Sequence, residues 1–215
     1  YTSGTTVFPT GADSTHRAVP SALVGFACRA EVGKLTASGG EVGADQGDPA
    51  VILRVPLFHV TGLVPVKMGT FVIGSRLVMM HRWDPDRALE LIEREKITTF
   101  VGVPTMSWEL LESPDFATRD TSSLSSVSGG GAPAPPELVR RIEDGFETAR
   151  PGIGYGMTET NGLGPQNSGN DHVAKPTSAG RASPSMDMVV IDEKGTVLGP
   201  NERGALGFRR ANLIP

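Results

Sequence analysis

Apolar and polar positions along the chain predict strands that alternate with helices. Short apolar runs typical of buried strands occupy Ala50–Val55, Arg76–Met80 and Thr98–Val103. Helical spacing of apolar residues predicts helices over His16–Val32, Asp84–Lys96, Thr105–Leu111 and Pro136–Phe146. This alternation favours an α/β fold with a mainly parallel sheet flanked by helices, in which ligands bind at loops beyond the carboxyl ends of the strands.

Two further segments interrupt this alternation. Gly33–Pro49 is rich in Gly, Ser and Asp, a composition typical of a loop. Val64–Phe71 continues apolar, and Gly74 and Ser75 end that stretch before the strand predicted at Arg76–Met80.

The last part of the chain has a different pattern of predicted elements. Short antiparallel strands are predicted at Met188–Ile191 and Leu206–Arg209, with a glycine-containing turn at Asp192–Gly195. We therefore expect an α/β subdomain over residues 1–179 and the beginning of a β-rich subdomain over residues 180–215.

Composition narrows the class of protein. With 38% hydrophobic and 20% charged residues, the 215-residue chain has the balance of a soluble globular protein. Its net charge of -4 disfavours nucleic acid and anionic membranes as partners. Cys28 is the only cysteine, which excludes an internal disulfide and fits a reducing compartment, so a cytoplasmic location is expected. No apolar run approaches the roughly 18 residues of a membrane-spanning helix.

The chain opens with a loop of phosphate-binding character, YTSGTTVFPTG at Tyr1–Gly11. The hydroxyls of Ser3, Thr5 and Thr6, with backbone N–H groups around Gly4, offer donors suited to the β- and γ-phosphates of ATP. The loop is not a Walker A motif, because GKS or GKT is absent. The alternative interpretation is a polar turn without a ligand.

Three further motifs carry candidate chemistry. Phe58 and His59 lie in PLFHVTGL, just after a predicted strand. Gly130–Pro133 lie in SGGGAP, where glycine lets a flat ring approach the main chain closely. YGMTE at Tyr155–Glu159 combines an aromatic ring, a hydroxyl and a carboxylate. Each motif also has an interpretation without a ligand. His59 could be a structural histidine with its hydrogen bonds satisfied in the core, and Gly130–Pro133 could be an ordinary strand-to-helix turn. Tyr155 and Glu159 could be structural residues at the end of a strand.

In this order and at this separation, the four motifs resemble those of the adenylate-forming (AMP-binding) superfamily. That superfamily contains acyl-CoA synthetases, luciferases and the adenylation domains of peptide synthetases. The resemblance spans essentially the whole chain and is greatest to ligases that join fatty or aromatic acids to CoA. It implies part of the large N-terminal domain of such an enzyme, with the nucleotide and acyl sites in residues 1–179. We expect the segment that precedes this domain part, and the small C-terminal domain with its catalytic lysine, to lie outside these residues.

The resemblance also implies roles for individual residues. Tyr155 would stack on adenine, Thr158 would bond to the α-phosphate, and Glu159 with Thr5 would hold Mg²⁺. His59 would act as a gate between the ATP and acyl tunnels. The expected catalytic residues are Thr158, Glu159 and His59. Nucleotide contacts are implied for Thr2, Ser3, Gly4, Thr5, Thr6, Gly130, Gly131, Ala132, Pro133, Tyr155, Gly156, Met157 and Thr158.

The phosphate loop departs from the family pattern at two positions. The pattern continues as Gly, any residue, Pro, Lys, Gly, and here Pro9 and Gly11 match it. Val7 replaces the first Gly, which adds bulk beside the phosphates and removes easy access to positive φ. Thr10 replaces the Lys, which removes a cation. Both changes are expected to weaken triphosphate binding.

The implied function is that of an ATP-dependent acid–CoA ligase acting on a carboxylic acid, ATP and CoA, with Mg²⁺ as cofactor. A fatty or aromatic acid is favoured, with Phe71–Met80 and Trp108 as candidate tunnel residues. One alternative is a non-catalytic adenylate-binding or structural lobe, which Val7 and Thr10 favour. Another is an amino-acid-activating peptide-synthetase domain, which would need an acidic residue in the acyl pocket, and PLFHVTGL contains no Asp.

Overall fold

A computed structural model describes residue 8, residues 11–37 and residues 48–214. The strands are β1 (Ala50–Leu53), β2 (Arg76–Met79), β3 (Thr99–Gly102), β4 (Ser126–Gly130), β5 (Arg150–Gly154), β6 (Gln166–Ser168), β7 (Asp187–Ile191) and β8 (Ala205–Arg209). The α-helices are α1 (Ala18–Ala37), α2 (Gly69–Ile73), α3 (Pro85–Glu95), α4 (Pro104–Glu112), α5 (Pro136–Gly145) and α6 (Gly169–Ala174). A π-helix spans Gly62–Met68, and 3₁₀ turns span Pro114–Ala117 and Thr158–Thr160.

Six strands form the main sheet in the order β2-β1-β3-β4-β5-β6. The strands from β2 to β5 run parallel, and β6 closes the edge antiparallel to β5. The predicted α/β fold with a mainly parallel sheet is therefore confirmed. Parallel order brings the carboxyl ends of β1, β3, β4 and β5 to one edge of the sheet, which is where such folds bind ligands.

Helix α3 illustrates how local sequence signals set the elements. Asp84 precedes the helix in an extended conformation, and its carboxylate accepts a hydrogen bond from the Arg87 N–H at 2.9 Å. Pro85 occupies the first helical turn, where its missing N–H costs nothing. Lys96 ends the helix with a left-handed φ of 49°. Its apolar residues on one side are buried: Ala88, Leu89, Leu91 and Ile92.

The principal core lies between the sheet and the layer formed by α3, α4 and α5. Phe100 of β3 and Val127 of β4 are 1% exposed, and they pack with Leu89, Leu110 and Leu138 from the three helices. Burying each such side chain contributes about 1.5–3 kcal/mol. This layer gives the sheet a rigid base and leaves the loops at its carboxyl edge free to hold a ligand.

Two sequence predictions need correction. Arg76–Met80 is not a buried strand, because β2 lies at the sheet edge and Met79 is 63% exposed. Gly33–Pro49 is not loop throughout, because α1 continues to Ala37. An ion pair between Glu31 and Lys34 at 2.8 Å supports that last part of α1.

The apolar run Val64–Phe71, for which no element was predicted, is helical. It belongs to the π-helix and to α2, with Gly74 ending α2 at a φ of 70°. A short apolar run cannot by itself distinguish a buried strand from a buried helix. Pro65 lies near the start of the π-helix, where few N–H groups have intrahelical partners.

The C-terminal strands agree with the sequence prediction. β7 and β8 pair antiparallel, with Val189 opposite Gly207. In the turn Asp192–Gly195, the Asp192 carboxylate accepts hydrogen bonds from two backbone N–H groups, and Gly195 has a φ of 83°. The proposed subdomain division after residue 179 stays a prediction. Among the described residues, no helix has the length and apolar character needed to cross a membrane.

Candidate adenylate site

Two of the predicted motifs begin side by side at the carboxyl edge of the sheet. Gly130, the last residue of β4, pairs with Gly154, the last residue of β5. A Cβ atom built on Gly130 would lie 3.0 Å from the Gly154 carbonyl oxygen, so a larger residue would push the strands apart. The sheet therefore brings together the glycine turn (Gly130–Pro133) and the acidic turn (Tyr155–Asn161).

The glycine turn presents its backbone to solvent. Gly131 has a φ of 77°, a left-handed conformation that glycine adopts without steric cost. Gly131, Ala132 and Pro133 are all exposed, and a Cβ on Gly131 would meet no atom within 4 Å. A flat ligand can approach this main chain directly, as the sequence predicted for adenine.

The acidic turn starts with an aromatic residue whose ring is partly exposed to solvent. Tyr155 is 39% exposed, and its N–H donates to the Pro165 carbonyl at 3.0 Å. Its ring lies nearly parallel to that of Phe208 in β8, with ring centroids 6.2 Å apart and an angle of 17° between the planes. The phenol ring is thus held in orientation while part of its surface stays available for stacking.

The chain then forms the 3₁₀ turn that carries the predicted catalytic pair. The Met157 N–H donates to the Thr160 hydroxyl at 3.1 Å, and that hydroxyl donates to the Met157 carbonyl at 3.0 Å. Thr158 is half-buried and Glu159 is exposed. Within residues 11–37 and 48–214, the Glu159 carboxylate forms no hydrogen bond or ion pair, so its oxygens are available to a ligand.

Residues distant in sequence fix the end of the acidic turn. Asn161 has a φ of 52° and is 3% exposed. Its side-chain N–H donates to the Asn212 carbonyl at 2.9 Å, and the Asn212 side chain donates to the Thr160 carbonyl at 3.0 Å. The Ser14 hydroxyl donates to Asn161 Oδ1 at 2.8 Å. Helix α1 supports the following segment, because Arg29 Nη1 donates to the Gly164 carbonyl at 3.0 Å.

The Phe58–His59 motif follows β1 at the same edge of the sheet. Phe58 is 86% exposed and His59 is also exposed, so neither is a core residue. His59 Nδ1 accepts a hydrogen bond from the Thr61 N–H at 3.2 Å. In the neutral imidazole this places the proton on Nε2. Within the described residues, that N–H group has no hydrogen-bond partner.

The segment after His59 reaches the acidic turn. A Cβ built on Gly162 would lie 3.4 Å from Pro65 Cδ and 3.8 Å from Val60 Cγ2. Val64 of the π-helix and Leu163 belong to one buried cluster. Three motifs therefore meet at one end of the sheet, although their individual roles remain predictions.

The phosphate loop is the fourth motif. Thr2, Ser3, Gly4, Thr5 and Thr6 lie outside the described residues, as do Val7 and Thr10. The described chain resumes at Gly11, and Ser14 contacts Asn161 of the acidic turn. The segment that follows the phosphate loop in the sequence thus contacts the acidic turn.

Trp108 and the first of the other candidate tunnel residues lie on helices. Trp108 lies on α4, with the Arg141 guanidinium carbon 4.7 Å from its ring centroid, within the helical layer. Phe71, Val72 and Ile73 are more than half exposed on α2. The role of Trp108 as a tunnel residue stays a prediction.

A magnesium ion fits the donor set only together with a substrate. Glu159 supplies one open carboxylate, and within the described residues no group of three His, Cys, Asp or Glu side chains could hold a metal. Mg²⁺ is commonly bound through one or two carboxylates plus substrate phosphates and water. The residues present therefore suit a metal that arrives with a nucleotide.

One buried histidine supports the sheet beneath both turns. His172 of α6 is 1% exposed and lines a small cavity of about 10 Å³ with Gly129 of β4 and Gly152 of β5. Its Nδ1 has no hydrogen-bond partner among the described residues. Burial lowers the pKa of the His172 imidazole.

Sequence reasoning missed several residues that shape the site. Phe208, Asn212 and Ser14 carry no local signal of their contacts, because each partner lies far away in the sequence. Arg29 was also missed, and burial lowers its pKa to about 10, so it stays protonated at neutral pH. Only Asn161 had a signal, since the Asn-Gly pair it forms with Gly162 marks a turn.

Comparisons with known proteins agree with the arrangement. A family model described as AMP-binding enzyme matches residues 1–215. Feruloyl-CoA synthase from Amycolatopsis sp is 31% identical over 216 residues, which cover 100% of this chain and 40% of that protein. The chain spans between 33% and 40% of the length of the curated relatives it matches.

Solved structures show the same fold. The inhibitor-bound N-terminal domain of FACL13 from Mycobacterium tuberculosis matches with a TM-score of 0.84 and 27% identity, over 100% of this chain and 50% of that one. O-succinylbenzoate coenzyme A synthetase (MenE) from Bacillus subtilis, in complex with ATP and magnesium ion, matches with a TM-score of 0.80 and 27% identity, over 100% of this chain and 41% of that one. The chain therefore belongs to the AMP-binding enzyme family, and its fold is that of part of the N-terminal domain of acyl-CoA synthetases.

Proposed function

We propose that this chain provides the nucleotide and acyl site of an ATP-dependent acid–CoA ligase. In the first half-reaction, a carboxylate oxygen attacks the α-phosphorus of ATP, and pyrophosphate leaves. In the second, the CoA thiol attacks the acyl carbon, and AMP leaves. The observation that carries the proposal is the meeting of the glycine turn, the acidic turn and the Phe58–His59 segment at one edge of the sheet.

Each of these segments would contribute differently to an acyl-adenylate. The exposed backbone of the glycine turn and the oriented ring of Tyr155 would bind adenine. The Thr158 hydroxyl would donate to the α-phosphate. His59 would separate the nucleotide from the acyl tunnel, because it is exposed and follows the end of β1. Rate enhancement in such transfers comes mainly from positioning and charge stabilisation.

Glu159 would hold Mg²⁺ together with the nucleotide phosphates, and Thr5 would assist from the phosphate loop. When bound, the ion would neutralise charge that develops on the phosphate oxygens. The carboxylate of Glu159 is exposed and has no partner among the described residues, which supports this role. The solved relative that contains ATP and magnesium ion supports the same cofactor for this chain.

A fatty or aromatic acid is the proposed substrate class. The similarity to a feruloyl-CoA synthase supports an aromatic acid. No carboxylate occurs in the segment PLFHVTGL, so nothing there would hold a substrate amine. This favours a CoA ligase over an amino-acid-activating adenylation domain. Residues 1–179 would form the nucleotide and acyl subdomain, and the single Cys28 supports a cytoplasmic location.

A non-catalytic adenylate-binding lobe is the rival that one observation favours. Val7 and Thr10 replace the flexible glycine and the cation of the family pattern. Both changes would weaken binding of the β- and γ-phosphates more than binding of an adenylate, which lacks them. The two functions therefore differ in whether ATP is consumed.

Acid-dependent release of pyrophosphate from ATP tests the ligase proposal. The full-length protein is supplied with Mg²⁺, ATP and a panel of fatty and aromatic acids, and pyrophosphate is measured. We expect release with at least one acid, and a loss of about 100-fold or more in Glu159→Gln, because the metal would lose its charged ligand. Glu193→Gln is the matched control, since Glu193 is exposed in the turn between β7 and β8.

The outcomes separate the rivals. No pyrophosphate with any acid, from a folded protein that still binds an acyl-adenylate analogue, would contradict the ligase and support the non-catalytic lobe. Equal losses in Glu159→Gln and Glu193→Gln would contradict the role of Glu159.

A further inference from the structure

We propose that Asn161 is a positioning residue for Glu159 and that it acts together with Asn212. The Asn161–Asn212 pair would connect the acidic turn to two segments that are distant in the sequence. This inference rests on the proposed function, because the metal-holding role of Glu159 is part of that function.

Two buried hydrogen bonds join Asn212 to Thr160 and Asn161 of the acidic turn. The Asn161 side chain donates to the Asn212 main-chain carbonyl at 2.9 Å, and the Asn212 side chain donates to the Thr160 carbonyl at 3.0 Å. Asn161 is 3% exposed and Asn212 is 1% exposed. Removing one partner of a buried hydrogen bond leaves the other group desolvated and unsatisfied, so this arrangement has few alternatives.

Two further bonds extend the connection on either side of Glu159. The Ile214 N–H donates to the main-chain carbonyl of Glu159 itself, at 3.0 Å. The Ser14 hydroxyl donates to Asn161 Oδ1 at 2.8 Å, and Ser14 follows the phosphate loop closely in the sequence. The carbonyls of Glu159 and Thr160 are therefore both held from outside the turn.

This fixes the direction in which the Glu159 side chain leaves the backbone. A metal-binding carboxylate depends on the groups that orient it, and removing such groups commonly costs 10- to 100-fold in metal affinity or activity. Asn161 also accepts the left-handed φ of 52° that ends the 3₁₀ turn. Asparagine thus meets two requirements. It adopts a left-handed backbone, and its side-chain amide forms hydrogen bonds through both its N–H group and its oxygen.

Asn161→Gly separates these two requirements, because glycine keeps the left-handed backbone but removes both side-chain bonds. The matched control is Asn201→Gly. Asn201 is also left-handed, with a φ of 68°, but it is exposed and lies between β7 and β8. Both changes are made in the full-length protein.

Two binding measurements distinguish positioning from a general structural role. The first is the Mg²⁺ concentration that half-saturates ATP binding, and the second is the affinity for an acyl-sulfamoyl-adenosine analogue without Mg²⁺. We expect Asn161→Gly to raise the Mg²⁺ requirement about 10-fold and to leave analogue affinity nearly unchanged. Asn201→Gly should change neither. Equal weakening of ATP and analogue by Asn161→Gly would overturn the proposal.

Hydrogen exchange gives a readout that does not depend on a working enzyme. In Asn161→Gly, the amides of residues 158–162 should exchange faster, while those of β4 stay protected. Unchanged exchange in this turn would overturn the proposal. If Asn161→Gly does not fold, Ser14→Ala removes one bond at the edge of the same network and should raise the Mg²⁺ requirement by a smaller factor. Failure of the wild-type protein to bind either nucleotide would overturn the proposed function, whereas the exchange result would still decide the positioning contacts.

Discussion

The glycine turn and the acidic turn leave adjacent strands at paired residues, yet they are stabilised in different ways. The glycine turn depends on its own backbone: Gly131 takes a φ of 77°, and no side-chain hydrogen bond to Gly131, Ala132 or Pro133 occurs within the described residues. The acidic turn depends on Asn161, Asn212 and other residues from distant segments. A turn that would let a ring approach requires an exposed main chain. A turn that would orient a carboxylate requires hydrogen bonds from other segments to hold its backbone.

The largest expected effect is on ligand affinity, when Tyr155 of the acidic turn is replaced. Tyr155→Ala removes the ring that would stack on adenine, and stacking on a base contributes about 1–3 kcal/mol. We expect the affinity for an acyl-sulfamoyl-adenosine analogue to fall about 10- to 100-fold, measured by calorimetry. Tyr155→Phe keeps the stacking surface and should lose little. Equal losses in both variants would show that the phenol hydroxyl, and not stacking, supports binding.

A gain of function tests the phosphate loop that the acidic turn would work with. The double change Val7→Gly and Thr10→Lys restores a flexible residue and a cation, and a charged hydrogen bond contributes about 1.5–3 kcal/mol. We expect ATP affinity to rise about 10-fold. The analogue, which lacks β- and γ-phosphates, serves as the control and should bind unchanged. No gain in ATP affinity would mean that these positions do not face the triphosphate.

The glycine turn has its own matched pair of substitutions. Gly131→Ala and Gly195→Ala both place a Cβ at a positive φ, 77° and 83°, with no atom within 4 Å. Each should lower the free energy of unfolding by about 1–2 kcal/mol, measured by denaturant titration. Only Gly131→Ala should also weaken analogue binding, because only Gly131 lies at the candidate site. Equal binding in the two variants would contradict the role of the glycine turn.

The smallest expected effect concerns His172, which is buried next to the two strands that lead into these turns. The pKa of His172 is lowered by burial, so the unfolded chain takes up a proton more readily than the folded one. The stabilising contribution of neutral His172 is present above its ordinary pKa of about 6.5 and is lost as the pH falls toward the lowered folded value. Thermal unfolding should therefore show a melting temperature that decreases on acidification, and less steeply in His172→Gln. Identical pH profiles would show that His172 does not titrate with folding.

The sequence predicted the sheet and the helices better than the support of the site. α3 was predicted from its capping residue and its apolar spacing, and α5 from its apolar spacing, because these signals act locally. β5 was missed because Arg150–Gly154 contains Pro151 and two glycines, a composition that disfavours strands. Its place in the sheet follows from pairing with β4 and β6, and a pairing partner cannot be read from the strand alone.

The same reasoning explains what could be predicted of the site. The motif residues carry their chemistry in their own side chains, so they could be identified by type and order. The contacts of Asn161 with Asn212 and Ser14 cross 51 and 147 sequence positions, and only the folded chain brings these residues together. Long-range polar contacts of this kind have no period or composition that marks them.

The proposed adenylate site is tested most directly by the binding of acyl-sulfamoyl-adenosine analogues of graded acyl length, measured by calorimetry without Mg²⁺. These analogues bypass the altered phosphate loop and require only the glycine turn, the acidic turn and the acyl tunnel. We predict tight binding with an optimum of acyl length or ring type, which would also identify the acid class. Absence of binding to a folded protein would contradict an adenylate site at the carboxyl edge of this sheet.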